Sequence, residues 1–550
     1  MKRWEIKKEY VVGDDIIKLL LENRGISTKQ EIDDFLHAPP ISELVKKLPR
    51  EFRESLRDAS ELIKNHTSKN LPIVVHGDYD ADGICATAIL YKMIKNELKY
   101  ESVYYFIPNR FDHGYGLSTE SVNEVVNMLD SEGFDTKKGG LFITVDSGIT
   151  AAGSVEFVRT LGFDIIITDH HQKPDKLPNA NVIVWYDKVV GASISWILSR
   201  VLGSTDPQSL SLAAIATVTD LQPLKDLNRE IVKKGLKILN SNPIIGLKKL
   251  VGAAGKETGE LDTYDLGWII GPRLNASGRL LEATNSLQLL LEEDATKAEE
   301  LALKLNAVNI ERQDKTLEMF EIASSVGKAD LPKIIFSSDQ NYHEGVIGLV
   351  AARLTQKFYR PSIVISLSEE FGKGSVRSIQ GVDIISMLRK FDDLFENLGG
   401  HPMAAGFTIK KENISILEDK LLEEAENLIE DSLFERVLKV DVKIPVNIID
   451  LELLEKIEEL QPFGLGNEEP VFMSENLGVV SVDAVGKEKS HLIIKLFDGQ
   501  EIHKSIYFNA VDNNVAVQMG DKLDIVYTIK KNVYNGKTYI DLVLKDLKIL

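Results

Sequence analysis

Residues 74–88, VVHGDYDADGICATA, run from an apolar stretch into a knot of acids and on into small apolar residues. His76, Asp78, Asp80 and Asp82 alternate, so a chain still extended there presents all four on one side. Carboxylates a few ångströms apart raise one another's pKa until one takes a proton, unless a cation neutralises them. Gly77 and Gly83 bracket the acids and permit a tight turn from strand to helix. Alone, a DxD pattern reads as a solvated surface turn, so its meaning depends on the rest of the chain.

Three further clusters follow, each read as the end of a strand. ITVDSG (143–148) puts Asp146 after an apolar run, and IIITDHH (165–171) puts Asp169, His170 and His171 after another. Asp220 follows the apolar and Thr-rich run 213–219. Carboxylates and imidazoles at the carboxyl ends of successive parallel strands suit a two-metal phosphoryl site, because each ion takes O and N ligands and one Asp can bridge them. Strands expected near 72–76, 102–107, 141–145, 164–168 and 182–185 alternate with helices, which predicts a doubly wound α/β domain.

GDYDADG, VDSG, TDHH and VTDLQPL resemble motifs one to four of the DHH phosphoesterases, and the fuller pattern is similar to the bacterial RecJ-type single-strand-specific exonucleases. PNRFDHGYGL (108–117), GPRLNASGR (271–279), HEGVIGLVAARL (343–354), GSVRS (374–378), GGHPMAAG (399–406) and PFGLGN (462–467) continue the resemblance in order over roughly residues 15–550. It implies a DHH parallel-sheet domain (71–284) joined by a long helix (285–327) to a DHHA1 α/β substrate-binding domain (328–436). An N-terminal helical segment (1–70) precedes them, and an OB-type β-barrel (437–550) follows.

The acid clusters and the resemblance together suggest two Mn²⁺ or Mg²⁺ ions held by His76, Asp80, Asp82, Asp146, His170 and Asp220, with Asp146 as the bridge. Asp78 and Asp169 are expected to orient these ligands from behind. A shared water would attack phosphorus in line, and His171 would help stabilise the charge that develops. By resemblance Arg110 contacts phosphate, and Arg273, Asn275 and Arg279 grip it from a Gly-rich turn. Arg353, Arg377, Ser378, Gly399, Gly400 and His401 are the candidates in the DHHA1-like part. Also by resemblance, the activity is 5′-to-3′ digestion of single-stranded DNA with a free 5′ end to mononucleotides, in repair and recombination. A helicase and a single-strand-binding protein would then be partners. Two alternatives differ in class: a phosphoesterase for short oligoribonucleotides or cyclic dinucleotides, which the added barrel argues against, and a scaffold with a decayed site, which would lack ligands.

Bulk properties set bounds. At 550 residues, 43% of them apolar, the chain can build several cores. The single cysteine, Cys85, excludes an internal disulfide, fits a reducing cytoplasm and reads as a buried thiol. MKRWEIKKEY lacks the apolar core of a signal peptide, and no run approaches a membrane span, so a soluble cytoplasmic monomer is expected. The net charge of −19 argues against a generic polyanion binder and shifts the weight to local arginines and metal. Residues 471–550 hold ten Lys and ten acids, so the acidic surplus lies elsewhere.

Helices are expected over 14–66, with Ser27 or Thr28 as a cap, and over 228–239. Residues 287–323 contain neither Pro nor Gly and predict one long connecting helix of roughly 55 Å. An acidic helix is read over 411–436 and a short one over 451–460. Beyond it five short strands suggest the barrel, with Asn535-Gly536 a hairpin turn and Tyr507, Phe508, Tyr534 and Tyr539 as candidate stacking residues.

Overall fold

Five parallel strands form the sheet that the first acid stretch enters, in the order Val103–Phe106, Ile73–His76, Leu141–Val145, Asp164–Asp169, Val182–Trp185. A computed structural model of the chain describes every residue except 1, 115, 326–330 and 511–514. Ile73–His76 and Leu141–Val145 are buried at every position, which explains their unbroken apolar character. Helices Thr119–Ser131 and Ala152–Thr160 cover one face through Val122, Val125, Leu129, Val155 and Val158. Helices Ala81–Lys92 and Gly191–Leu202 cover the other.

In chain order the strands lie second, first, third, fourth, fifth. The connections therefore leave Ile73–His76 and Leu141–Val145 in opposite directions, and a crevice opens beyond their carboxyl ends. Such a switch point is where open α/β sheets bind ligands. It receives both the 78–82 acids and Asp146.

The chain divides into two compact units. One comprises Val45–Gln222 and Lys234–Glu435, and the other Met1–Leu44, Pro223–Lys233 and Arg436–Leu550. The first unit also contains a mixed sheet, ordered Phe395–His401, Ala404–Lys410, Phe371–Arg377, Ser362–Leu367, Ile335–Asp339. Helices Ile384–Arg389 and Ile414–Leu428 pack on one face of it, and Ile347–Phe358 with the end of the helix Ala295–Ala323 on the other.

In the second unit, Phe472–Val485, His491–Phe497, Ile502–Tyr507, Lys537–Ile549 and Lys522–Tyr534 close on themselves, because the first also pairs with the last. This is the five-stranded barrel anticipated from the sequence. Asn535 and Gly536, at φ 51° and 72°, turn its last hairpin between Tyr534 and Lys537. Tyr507 faces the core, whereas Phe508, Tyr534 and Tyr539 are exposed.

The structure departs from the sequence reading in four places. The helix expected over 287–323 is two, Thr284–Leu291 and Ala295–Ala323, because the Asp294 carboxylate accepts from the Thr296 and Lys297 amides and starts a new helix. The expected boundary at 327/328 lies outside the described residues. GPRLNASGR is not a turn: it forms the helix Gly271–Leu280, continuing a wide π-type turn at Asp265–Ile270. Asp220 ends a helix, Gln208–Thr219, and not a strand, since the Ala and Leu residues of the run favour helix over the β reading of its Thr residues. Finally, the N-terminal segment opens with a strand, Arg3–Glu9, parallel to Val437–Lys443, before its helices. There Trp4 and Ile6 alternate with exposed charges, a period-two pattern that the helical reading passed over.

Candidate metal centre

Asp80 caps the helix Ala81–Lys92, its Oδ1 accepting from the Asp82 and Gly83 amides at 2.9 and 3.1 Å. Asn275 Oδ1 accepts from the Ala81 amide at 2.7 Å and ties this turn to the helix Gly271–Leu280. Asp82 is buried, and its two oxygens accept from the Gly191 and Ala192 amides at 2.8 and 2.7 Å, at the positive end of the helix Gly191–Leu202. Gly191 is required by space, because a Cβ there would lie 2.6 Å from Cβ of Asp146. Asp146 itself adopts a left-handed φ of 59°, which turns its carboxylate back over the strand end.

Asp169 fixes the histidine pair. Its Oδ1 accepts from the His170 and His171 amides and lies 2.8 Å from His171 Nδ1, while Oδ2 accepts from the Ile149 amide. His170 Nε2 consequently sits 3.0 Å from Asp146 Oδ1, 3.5 Å from Asp82 Oδ2 and 3.8 Å from Asp220 Oδ2. Three groups of potential ligand atoms each lie within 4.8 Å: Asp78, Asp80 and Asp146; Asp82, His170 and Asp220; and Asp146, His170 and His171. Asp146 and His170 each belong to two of them.

Burial, and then the neighbouring carboxylates, hold Asp78 and Asp146 well above the usual carboxylate range. The same causes bring Asp220 to about 8. Burial lowers His170. At His171 burial acts in that direction too, but Asp169, with Asp220 and Asp82, overrides it and lifts the imidazole to about 9. Asp78 Oδ1 is buried without a hydrogen-bond partner, and Asp146 Oδ1 has His170 Nε2 beside it at 3.0 Å but no hydrogen bond of good geometry. Buried anionic oxygens in such number, with an imidazole nitrogen among them, fit divalent cations that accept O and N donors.

His76 joins none of these groups. Its Nε2 lies 3.1 Å from Ser121 Oγ, its ring stacks on Phe106, and burial depresses its pKa to about 4. Asp78 presents an oxygen within the cluster itself, next to Asp80 and Asp146.

Beside the acids stands a set of arginines that take part in none of the ion pairs among the described residues. Arg279 has its pKa brought to about 10 by burial and by Arg110, Arg312 and Arg377, with Asp80 pulling the other way. Arg312 is lowered by burial and then by Arg353 and Arg273. Like charges gathered in this way invite a polyanion. Arg312 escaped the sequence reading; Tyr79, whose ring lies 5.4 Å from the Arg110 guanidinium, did so too. The available signal for Arg312 was its position. Asn309, Thr316, Met319 and Ala323 form a buried stripe on the long helix, and Arg312 falls on it where an apolar residue is due.

The other candidates are placed as follows. Arg273 is buried, bonded to Asn306 Oδ1 and to the Ile269 carbonyl. Arg377 is half-buried, and its strand register aligns it with Ala404 and, one strand further, with His401, so the two side chains share a face of the mixed sheet. Gly399, Gly400, His401 and Arg353 are exposed. Ser378 is buried, and its hydroxyl donates to the Val382 carbonyl.

Comparison with known proteins gives three family matches: the DHH family N-terminal domain over residues 72–219, the DHHA1 domain over 331–431 and the RecJ OB domain over 440–546. The single-stranded-DNA-specific exonuclease RecJ of Bacillus subtilis is 32% identical over 571 residues, covering 100% of this chain and 71% of that protein. The Haemophilus influenzae protein of the same name is 30% identical, covering 86% and 87%. The crystal structure of RecJ in complex with Mn²⁺ from Thermus thermophilus superposes with a TM-score of 0.83 at 27% identity, covering 99% of this chain and 79% of that one.

Proposed function

Since the chain belongs to the RecJ family of single-stranded-DNA-specific exonucleases, we propose that it removes nucleotides from the 5′ end of single-stranded DNA by metal-dependent phosphodiester hydrolysis. The observation that carries this reading is the convergence of Asp78, Asp80, Asp82, Asp146, His170 and Asp220 at the switch point, in groups that share Asp146 and His170. Those residues would hold two Mn²⁺ or Mg²⁺ ions; the Thermus relative was crystallised in complex with Mn²⁺. Bound there, such ions polarise phosphoryl oxygens and acidify water.

The chain's own groups do the rest. Asp82, anchored by two backbone amides, and Asp169, anchored by three, hold the donors rigid. His171, whose Nδ1 lies 2.8 Å from Asp169 Oδ1, would stabilise the negative charge that develops on phosphorus. Arg110, Arg279 and Arg377 grip phosphate next to the scissile one, and Arg312 with Arg353 extends the grip along the strand. The RecJ OB match supports a polymeric substrate over short oligoribonucleotides or cyclic dinucleotides. A cytoplasmic monomer supplied with unwound DNA by a helicase and a single-strand-binding protein completes the reading, on family resemblance.

The test is a time course on 5′-labelled and 3′-labelled single strands and matched duplex, with Mn²⁺ or chelator. Label leaving first from the 5′-labelled strand as mononucleotide, only with metal, supports the proposal. Equal digestion of duplex, or release of the 3′ label first, overturns it.

A further inference from the structure

Arg110 sits in a turn that is clasped shut around it. The Asn109 amide donates to His113 Nδ1 at 2.9 Å, the His113 amide donates back to the Asn109 carbonyl at 2.9 Å, and the Phe111 amide donates to Asn109 Oδ1 at 2.8 Å. Residues 109–113 are thereby closed into a ring of bonds. From it the Arg110 guanidinium reaches to 5.4 Å from the Tyr79 ring and acts on Asp78, Arg279 and Arg377.

The imidazole that closes the ring is held in one state. A backbone amide can only donate, so His113 Nδ1 accepts and the proton of the neutral ring is on Nε2. Nε2 donates it to Glu124 Oε2 at 2.9 Å. The ring also meets Phe106 edge-on at 5.6 Å, and Phe106 stacks on His76 at 5.4 Å. His76, which joins no group of metal ligands, therefore belongs to the support beneath this turn. The His113 side chain is only 10% exposed, although the turn that carries it lies outside every strand and helix. A guanidinium that grips an anion gives up conformational freedom, and it gives up less where the backbone under it is already fixed.

We infer that His113 is a positioning residue for the reaction: its Nδ1 clamps the backbone on both sides of Arg110 and so sets the guanidinium in place for phosphate. It acts through Arg110 and touches no substrate. The inference rests on the reading of Arg110 as a phosphate contact. It also divides the work between the two ring nitrogens. Nδ1 does the clamping, while Nε2 only steadies the ring, since Glu124 is 59% exposed and a pair so open to water contributes little. Asparagine can put an acceptor where Nδ1 stands, whereas glutamine reaches towards Glu124 and leaves the δ position without one.

The test is a double-mutant cycle read separately in kcat and KM on single-stranded DNA with Mn²⁺. Arg110→Ala should raise KM about tenfold and leave kcat within about twofold, as expected for one charged hydrogen-bonding group lost from binding. His113→Ala and His113→Gln should do the same, and His113→Asn should stay within about twofold of the parent. Combining Arg110→Ala with His113→Ala should cost no more than Arg110→Ala alone. A merely structural role predicts losses that multiply to about a hundredfold, in kcat as well as KM, with asparagine no better than alanine. That pattern overturns the inference, and so does a His113→Ala protein as active as the parent. An Arg110→Ala protein that binds and cuts like the parent overturns it together with the phosphate grip. His113→Gln carries the test if the alanine variant fails to fold. Binding of a short 3′-fluorescein-labelled single strand in chelator reads the same variants without catalysis. The expected ranking of affinities in a protein that digests no strand with Mn²⁺ would refute the exonuclease reading and leave the role of His113 standing, whereas digestion with multiplying losses would refute the role of His113 alone.

Discussion

The acid cluster and the arginine set lie side by side, yet they are built in opposite ways. The acids come from short turns at the ends of a parallel sheet and, for Asp220, from the end of a helix, and Asp80, Asp82 and Asp169 are held by backbone amides within a few residues or across one helix end. The arginines come from a loop, three helices and a strand spread over residues 110–377, and their guanidinium groups meet only in the folded chain. A cluster of acids must be neutralised by something that enters from outside, so its geometry is rigid and its loss abrupt. A cluster of arginines shares the work of holding a long anion, so its loss should be graded.

The largest expected effect falls on the acid side. Asp146→Asn keeps the side-chain shape and the tolerance for left-handed backbone but removes the charge shared by two ligand groups. Metal-dependent digestion should drop on the order of a thousandfold, with the fold retained by circular dichroism. A variant within about tenfold of the parent would show that Asp146 is dispensable. On the arginine side Arg279→Ala should cost about a hundredfold in kcat/KM, because this buried group interacts with Asp80 of the acid cluster. Arg312→Ala should cost only about tenfold, mainly in KM on long strands. Equal effects from the two would mean that the arginines act as one unit rather than in steps.

The smallest effect is on stability and pH. Asp220 gives up its proton only near 8 and His171 only near 9 in the fold, against roughly 3.9 and 6.5 for unperturbed groups. Both folded pKa values are raised, so between pH 6.5 and 9 the metal-free fold binds more protons than the unfolded chain and its stability falls as pH rises. His76 and His170, both depressed, are neutral in the fold over that window, and in the unfolded chain they lose their remaining charge just above pH 6.5, a smaller opposing effect. Melting of the metal-free protein should therefore fall by a few degrees from pH 6.5 to 9, and Mn²⁺ should remove the slope. A flat or rising trend without metal would contradict the assigned charge states.

The same contrast decides what was legible in the sequence. The parallel sheet and its acids could be read because an apolar run followed by Asp is a local pattern, and Ile73–His76 and Leu141–Val145 carry it in full. The break at Asp294 was missed because an unbroken helical composition hid a capping residue. The run before Asp220 misled through β-branched residues inside a helix packed against other helices. Arg312 could not be assigned to a phosphate track without knowing that its helix passes Arg273 and Arg353. His76 matched a ligand pattern in spacing, but it ends a strand with its ring against Phe106, and one residue decides which side a strand presents.

The central claim is that two divalent ions share ligands at the switch point. Electron paramagnetic resonance of the protein titrated with Mn²⁺ tests it directly. Two ions per chain with an exchange-coupled signal, converted by Asp146→Asn to an uncoupled one, is the result this account predicts. One ion per chain, or two that give only isolated Mn²⁺ spectra in the unaltered protein, would contradict it.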